Sequence, residues 1–113
     1  MLVEQRTYTT HPGKLQDYLS LYESEGLSIQ RPILGRMVGY YRTEHGTLNQ
    51  VVHLWAYASH AEREQRRALL AEQPDWIAYL RKMLPLLQSM ESRILVPAPF
   101  FEPRWDEAGA GAD

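Results

Sequence analysis

Glu4, Arg6 and Tyr8 recur at period two in the segment LVEQRTYTT, so a strand there sets an acid, a cation and a phenol along one face. A second alternating segment, NQVVHLWAY from Asn49 to Tyr57, carries His53 and Trp55 at the same period. Residues opposite one another on paired strands lie about 5 Å apart. Pairing the two segments would therefore gather acid, base, cation and stacking surface in one cavity. In that cavity His53 is the candidate proton-transfer group and Arg6 the holder of a substrate carboxylate or enolate. Glu4, Tyr8 and Trp55 would contact the ligand. His53 sits among Val51, Val52 and Leu54, where loss of water lowers an imidazole pKa and leaves the ring neutral. Gly39 and Asn49 complete the candidate ligand-binding set, Gly39 because a strand glycine leaves space where another group approaches. The same residues also admit a structural account, as a cross-strand ion pair and aromatic packing at an interface between two copies, with His53 a satisfied core histidine.

Other chemistries lack their patterns. His11, His45, His53 and His60 form neither H-x-x-x-H nor a helical His-Glu pair, so no metal site is expected. None of the serines stands in a G-x-S-x-G elbow, and there is neither a G-x-G-x-x-G nor a P-loop pattern, so no cofactor is implied. The absence of cysteine removes disulfides, thiolate ligands and a thiol nucleophile. Twelve Lys and Arg against fourteen Asp and Glu leave no basic excess, which argues against nucleic acid and anionic membrane as partners. No apolar run reaches the roughly 20 residues of a membrane span. The opening residues read as a strand rather than a leader, which fits a cytoplasmic location. Arg63, Arg66 and Arg67 alternate with Glu62 and Glu64 and read as a solvated helix face.

The elements that must position these residues follow from periodicity. Leu2 to Thr10 predicts a strand ending at the turn His11-Pro12-Gly13. Leu15, Tyr18, Leu19 and Tyr22 fall on one stripe of a helix ending near Gly26. Leu34 to Thr43 and Asn49 to Tyr57 predict a hairpin. Ser59 with Glu62 forms an S-x-x-E capping box that starts a helix, and Pro74 starts another helical piece carrying Trp76, Ile77, Leu80 and Met83. Trp76 is expected in the core. Ser92 to Val96 predicts the last strand.

The order β-α-β-β-α-β is the ferredoxin-like, α+β arrangement, a four-stranded antiparallel sheet with its helices on one face. The 113 residues allow one domain, taken as residues 1–105, with a low-complexity tail over 106–113. Helices of this size cover one side of the sheet, yet the strands carry large residues on both. The open side therefore calls for a second copy packed face to face, a homodimer forming an α+β barrel around a shared cavity.

These residues resemble the NIPSNAP family over nearly the whole span from Leu2 to about Pro103. The resemblance is carried by Glu4 to Thr9 followed by Pro12-Gly13-Lys14, by Gly39, and by the run from Thr43 to Tyr57 that contains L-N-Q-V-V-H-L-W. Arg63, Arg67, Pro74 and Trp76 also follow the family pattern. The resemblance implies a dimeric α+β barrel, and the short single-domain forms look bacterial; it implies no particular reaction. By analogy of fold, such barrels include cofactor-independent monooxygenases and isomerases as well as haem-handling proteins. Two functions are expected to compete. One is binding, or transformation, of a small organic molecule in the barrel. The other is a non-catalytic dimer that recruits a protein partner through its helical surface.

Overall fold

The computed structural model describes residues 1–107. Strand β1 (Leu2–Thr10) leads into a continuous helical rod made of α1 (Leu15–Leu21), a π turn (Tyr22–Gly26) and α2 (Leu27–Leu34). Strands β2 (Arg36–Arg42) and β3 (Gln50–Tyr57) form the hairpin. Helices α3 (His60–Ala71) and α4 (Pro74–Met83) then run into a 3-10 turn (Leu84–Leu86), strand β4 (Leu87–Leu95) and a two-residue strand β5 (Asp106–Glu107). The sheet is antiparallel with order β4-β1-β3-β2-β5, so its four long strands have the ferredoxin-like arrangement.

The first helix does not stop at Gly26. The missing Cβ there is used for packing, since a methyl group would lie 2.7 Å from Tyr79 Cζ and 2.8 Å from Tyr22 Cδ1. The rod ends at Gly35 instead, where φ of 90° suits only glycine and the Gly35 amide donates to the Arg31 carbonyl. The cap forms at the expected place: Ser59 Oγ accepts from the Glu62 amide at 3.1 Å, while Glu62 Oε2 reaches back one residue further than the N-cap and accepts from the Ala58 amide at 2.7 Å. The last strand begins at Leu87, five residues before the expected Ser92, because the helical run gives way at Pro85.

β4 lies at one edge of the sheet and β5 at the other, so residues 96–105 cross the end of the sheet. Asp106 and Glu107, placed by sequence in a tail, pair with Met37 and Arg36. The remainder of that tail, 108–113, lies outside the described residues.

Register decides the faces. Leu2, Glu4, Arg6 and Tyr8 oppose Tyr57, Trp55, His53 and Val51, and this side of the sheet is covered by the helices. Tyr18, Tyr22, Leu70, Trp76, Tyr79 and Met83 close the core from the helical layer. The opposite side carries Gln5, Thr7, Val52, Leu54 and Tyr41 and has no helix over it among the described residues.

Candidate functional site

The sheet places Glu4, Arg6, Tyr8, His53 and Trp55 together, but between sheet and helices of one chain rather than on the open face. The expected cavity shared by two copies is therefore corrected for these residues, since α3 lies over them.

Glu4 is fully buried and ionised. Arg6 Nη1 donates to its Oε2 at 2.9 Å, and Arg63 donates twice, from Nη2 to Oε2 at 2.8 Å and from Nε to Oε1 at 3.1 Å. Ser92 Oγ adds a 2.6 Å hydrogen bond, and Arg67 Nη1 stands 4.0 Å from Oε1. Burial alone would raise the carboxyl pKa. The hydrogen bonds from Arg63 and Ser92 and the charges of Arg6 and Arg67 outweigh it and bring the value down to about 2. Arg6 completes its pairing by donating from Nε to Tyr8 OH at 2.9 Å. These donors serve the protein itself, so a substrate carboxylate at Arg6 would have to compete with Glu4.

Arg63, Arg66 and Arg67 are thus not a solvated helix face. Arg63 clamps Glu4 with two hydrogen bonds, Arg67 faces it from 4.0 Å without one, and Arg66 donates to Glu62 and to the Ile33 carbonyl. A sequence signal existed: Arg63, Arg66, Arg67 and Leu70 fall at i, i+3, i+4 and i+7, one stripe, and Leu70 is core. Ser92 carried no such signal, because its role depends on β4 pairing with β1 in the register that sets it opposite Arg6.

His53 is buried and its pKa is lowered to about 3, by burial first and then by the nearby charges of Arg6 and Arg67. Its Nδ1 accepts from Trp55 Nε1 at 2.8 Å, so in the neutral ring the proton sits on Nε2. Nε2 is buried and unpartnered among the described residues. The imidazole is therefore set up as a hydrogen-bond donor, and the role of proton acceptor does not suit it.

Tyr40 extends the site. Its ring stacks on His53 and on Tyr22, each at a centroid distance of 4.6 Å, and its hydroxyl bonds to Tyr18 OH. Beyond it, at the level of the π turn, a cavity of about 360 Å³ opens between the helical rod and β2, walled by Leu19, Tyr22, Leu27, Met37 and Tyr40. π turns are frequent at functional sites, and this one supplies Tyr22 to the wall.

The remaining two candidates lie elsewhere. Gly39 faces the open side, where the ring of Tyr41 occupies the space left by its missing Cβ, with Tyr41 Cε2 2.5 Å from the position a Cβ would take. Asn49 stands just before β3 with φ of 64°, accepts from the Thr10 amide through its carbonyl, and lines a separate cavity of about 340 Å³ with Gly13, Leu15 and Arg42. Neither residue adjoins His53.

The family model for NIPSNAP matches residues 3–102. The chain belongs to the NIPSNAP family. A solved NIPSNAP family protein from Agrobacterium tumefaciens superposes with a TM-score of 0.86 at 46% identity, covering 88% of this chain and 94% of that one. An uncharacterized NIPSNAP-like domain protein from Burkholderia xenovorans gives 0.87 at 44% identity, covering 93% and 94%. A NipSnap homolog of Dictyostelium discoideum is 36% identical over 83% of this chain and 41% of its own length. This NIPSNAP chain thus spans less than half the length of that curated relative. A putative antibiotic biosynthesis monooxygenase from Nitrosomonas europaea shares the fold, with a TM-score of 0.62 at 14% identity over 86% of this chain and 98% of that one.

Proposed function

We propose that this NIPSNAP domain works as a homodimer that binds a small organic molecule in the cavity between its helical rod and β2. The observation that carries this reading is the cavity wall: Tyr40, stacked on His53, connects an apolar space of about 360 Å³ to the buried Glu4–Arg6–His53 cluster. That volume falls within the range of small-molecule sites. The cluster acts as the rigid back of the site, its charges held by one another, and His53 acts as a donor rather than a base. The reading is one of binding, and no proton-transfer step is assigned to His53.

The homodimer rests on the open side of the sheet. Val52 and Leu54 are half-buried there without a helix over them, and Tyr41 is 62% exposed. Phe100 and Phe101, on the segment that crosses the end of the sheet, are exposed as well. Packing two such faces together removes apolar surface that a monomer leaves in water.

A thermal-shift screen of small acids, quinones, aromatic compounds and haem tests the binding reading, because a ligand of the folded state raises the melting temperature by mass action. A shift that is lost in Tyr40→Ala, with that variant still folded, supports it. Silence across the library favours the other reading, a dimer that recruits a protein partner, for which Leu69 and Ile77 give the helical layer exposed apolar surface.

A further inference from the structure

The cavity beside Tyr40 combines an apolar body with a cation and one carboxylate, Glu23, and its tyrosine hydroxyls are already committed. Leu19, Leu27 and Met37 supply apolar wall. The two tyrosines contribute ring rather than hydroxyl, since Tyr22 OH donates to Gln30 Oε1 at 2.6 Å and Tyr40 OH is bonded to Tyr18 OH. Arg31 lines the same space, and its buried Nε has no hydrogen-bond partner among the described residues. Asp106 approaches Arg31 Nη2 at 3.8 Å, but it is 80% exposed, so water and salt screen the pair. Arg6, Arg63 and Arg66 differ in that each donates to a carboxylate at close range.

The Arg31 Nε is closed to solvent, so it is the rest of the guanidinium, in a side chain 25% exposed and only weakly paired, that can take an anionic group in the cavity. Glu23 stands on the same wall and opposes a second negative charge on the ligand. We propose that the cavity takes an apolar monocarboxylate, its hydrocarbon body against Leu19, Leu27 and Met37 and its carboxylate on Arg31. This rests on the small-molecule reading above and adds the charge and polarity of the ligand. The volume of about 360 Å³ is at the small end for ligand sites, which suits a medium-chain acid.

Calorimetric titration of the full chain with octanoate and with octanol tests the assignment. Octanoate is expected to bind roughly ten- to a hundredfold more tightly than octanol, the range set by a charge-assisted hydrogen bond. Arg31→Gln is expected to bring octanoate down to the affinity of octanol, and Arg31→Lys to retain part of the preference. Octanol binding as tightly as octanoate, or a preference for octanoate that survives in Arg31→Gln, overturns the carboxylate assignment and leaves the small-molecule cavity standing. If neither compound binds to folded protein, the carboxylate assignment falls, and the cavity reading falls with it if the broader screen is also silent.

Discussion

Trp55 Nε1 donates a 2.8 Å hydrogen bond to His53 Nδ1, two residues away on the same face of β3. The bond occupies the one lone pair a neutral imidazole can offer when its proton is on Nε2. His53 should therefore stay neutral across the physiological range. Its ring proton resonances, followed by NMR, are expected to hold still from about pH 8 to about pH 5. A titration with a midpoint near the ordinary histidine value would show that the ring is hydrated or that Trp55 has let go.

Acid should destabilise the fold in two windows, and both groups push the same way. His53 has a folded pKa of about 3, below its ordinary 6.5, so the folded state binds fewer protons and its contribution shrinks as pH falls below 6.5. Glu4 has a folded pKa of about 2 against 4.5, so its contribution is complete above 4.5 and is lost as pH drops toward 2. Denaturant midpoints measured between about pH 7 and pH 3 should fall monotonically. A midpoint that rises on acidification would contradict both assignments.

Glu4→Gln keeps the side chain's size and removes the charge that holds Arg6, Arg63 and Arg67. Breaking a buried pair from one side costs about 3–5 kcal/mol, and the loss should be of that order in urea unfolding. The exposed pair of Arg42 and Glu44, 2.8 Å apart, provides the contrast. Removing either of its charges should cost less than about 1 kcal/mol. Equal losses at the two places would mean that Glu4 is not the hub of the cluster.

Two glycines should respond differently to alanine. At Gly26 the new methyl meets the rings of Tyr79 and Tyr22, packed on both sides, so overpacking should cost about 1–3 kcal/mol. At Gly39 the obstacle is only the far end of the Tyr41 ring on the open face, which can turn aside more easily than the two core rings at Gly26, so the cost should be smaller than at Gly26. Melting temperatures of the two variants decide the order.

Leu54→Glu places a charge in the middle of the open sheet face without touching the helix-covered core. Light scattering should give a dimer for the wild type and a monomer for the variant, with similar circular dichroism. A monomeric wild type at micromolar concentration would remove the basis for the pairing.

Much of the fold could be read from residue spacing. Period two in LVEQRTYTT and NQVVHLWAY defined both strands and grouped Glu4, Arg6 and Tyr8 with one another and His53 with Trp55. The Ser59–Glu62 capping box set the start of α3. Gly26 misled because glycine often ends a helix, whereas here its smallness lets Tyr79 approach the π turn. Arg63 and Arg67 misled because their neighbours in sequence, Glu62 and Glu64, are acidic. Their partner Glu4 lies 59 residues from Arg63, a separation at which sequence pattern says nothing about pairing.

The sequence by itself determined which side chains share a strand face, the order of elements and the NIPSNAP membership. Those depend on local periodicity and on the run of residues, both of which are written along the chain. Only the tertiary structure decided which face the helices cover, and with it that Glu4, Arg6 and His53 lie between sheet and helices instead of on the open face. The physical reason is that a period-two pattern separates the two sides of a strand without saying which is inside. That choice is made by the packing of the tyrosine-bearing helices and by three arginines closing around one buried carboxylate.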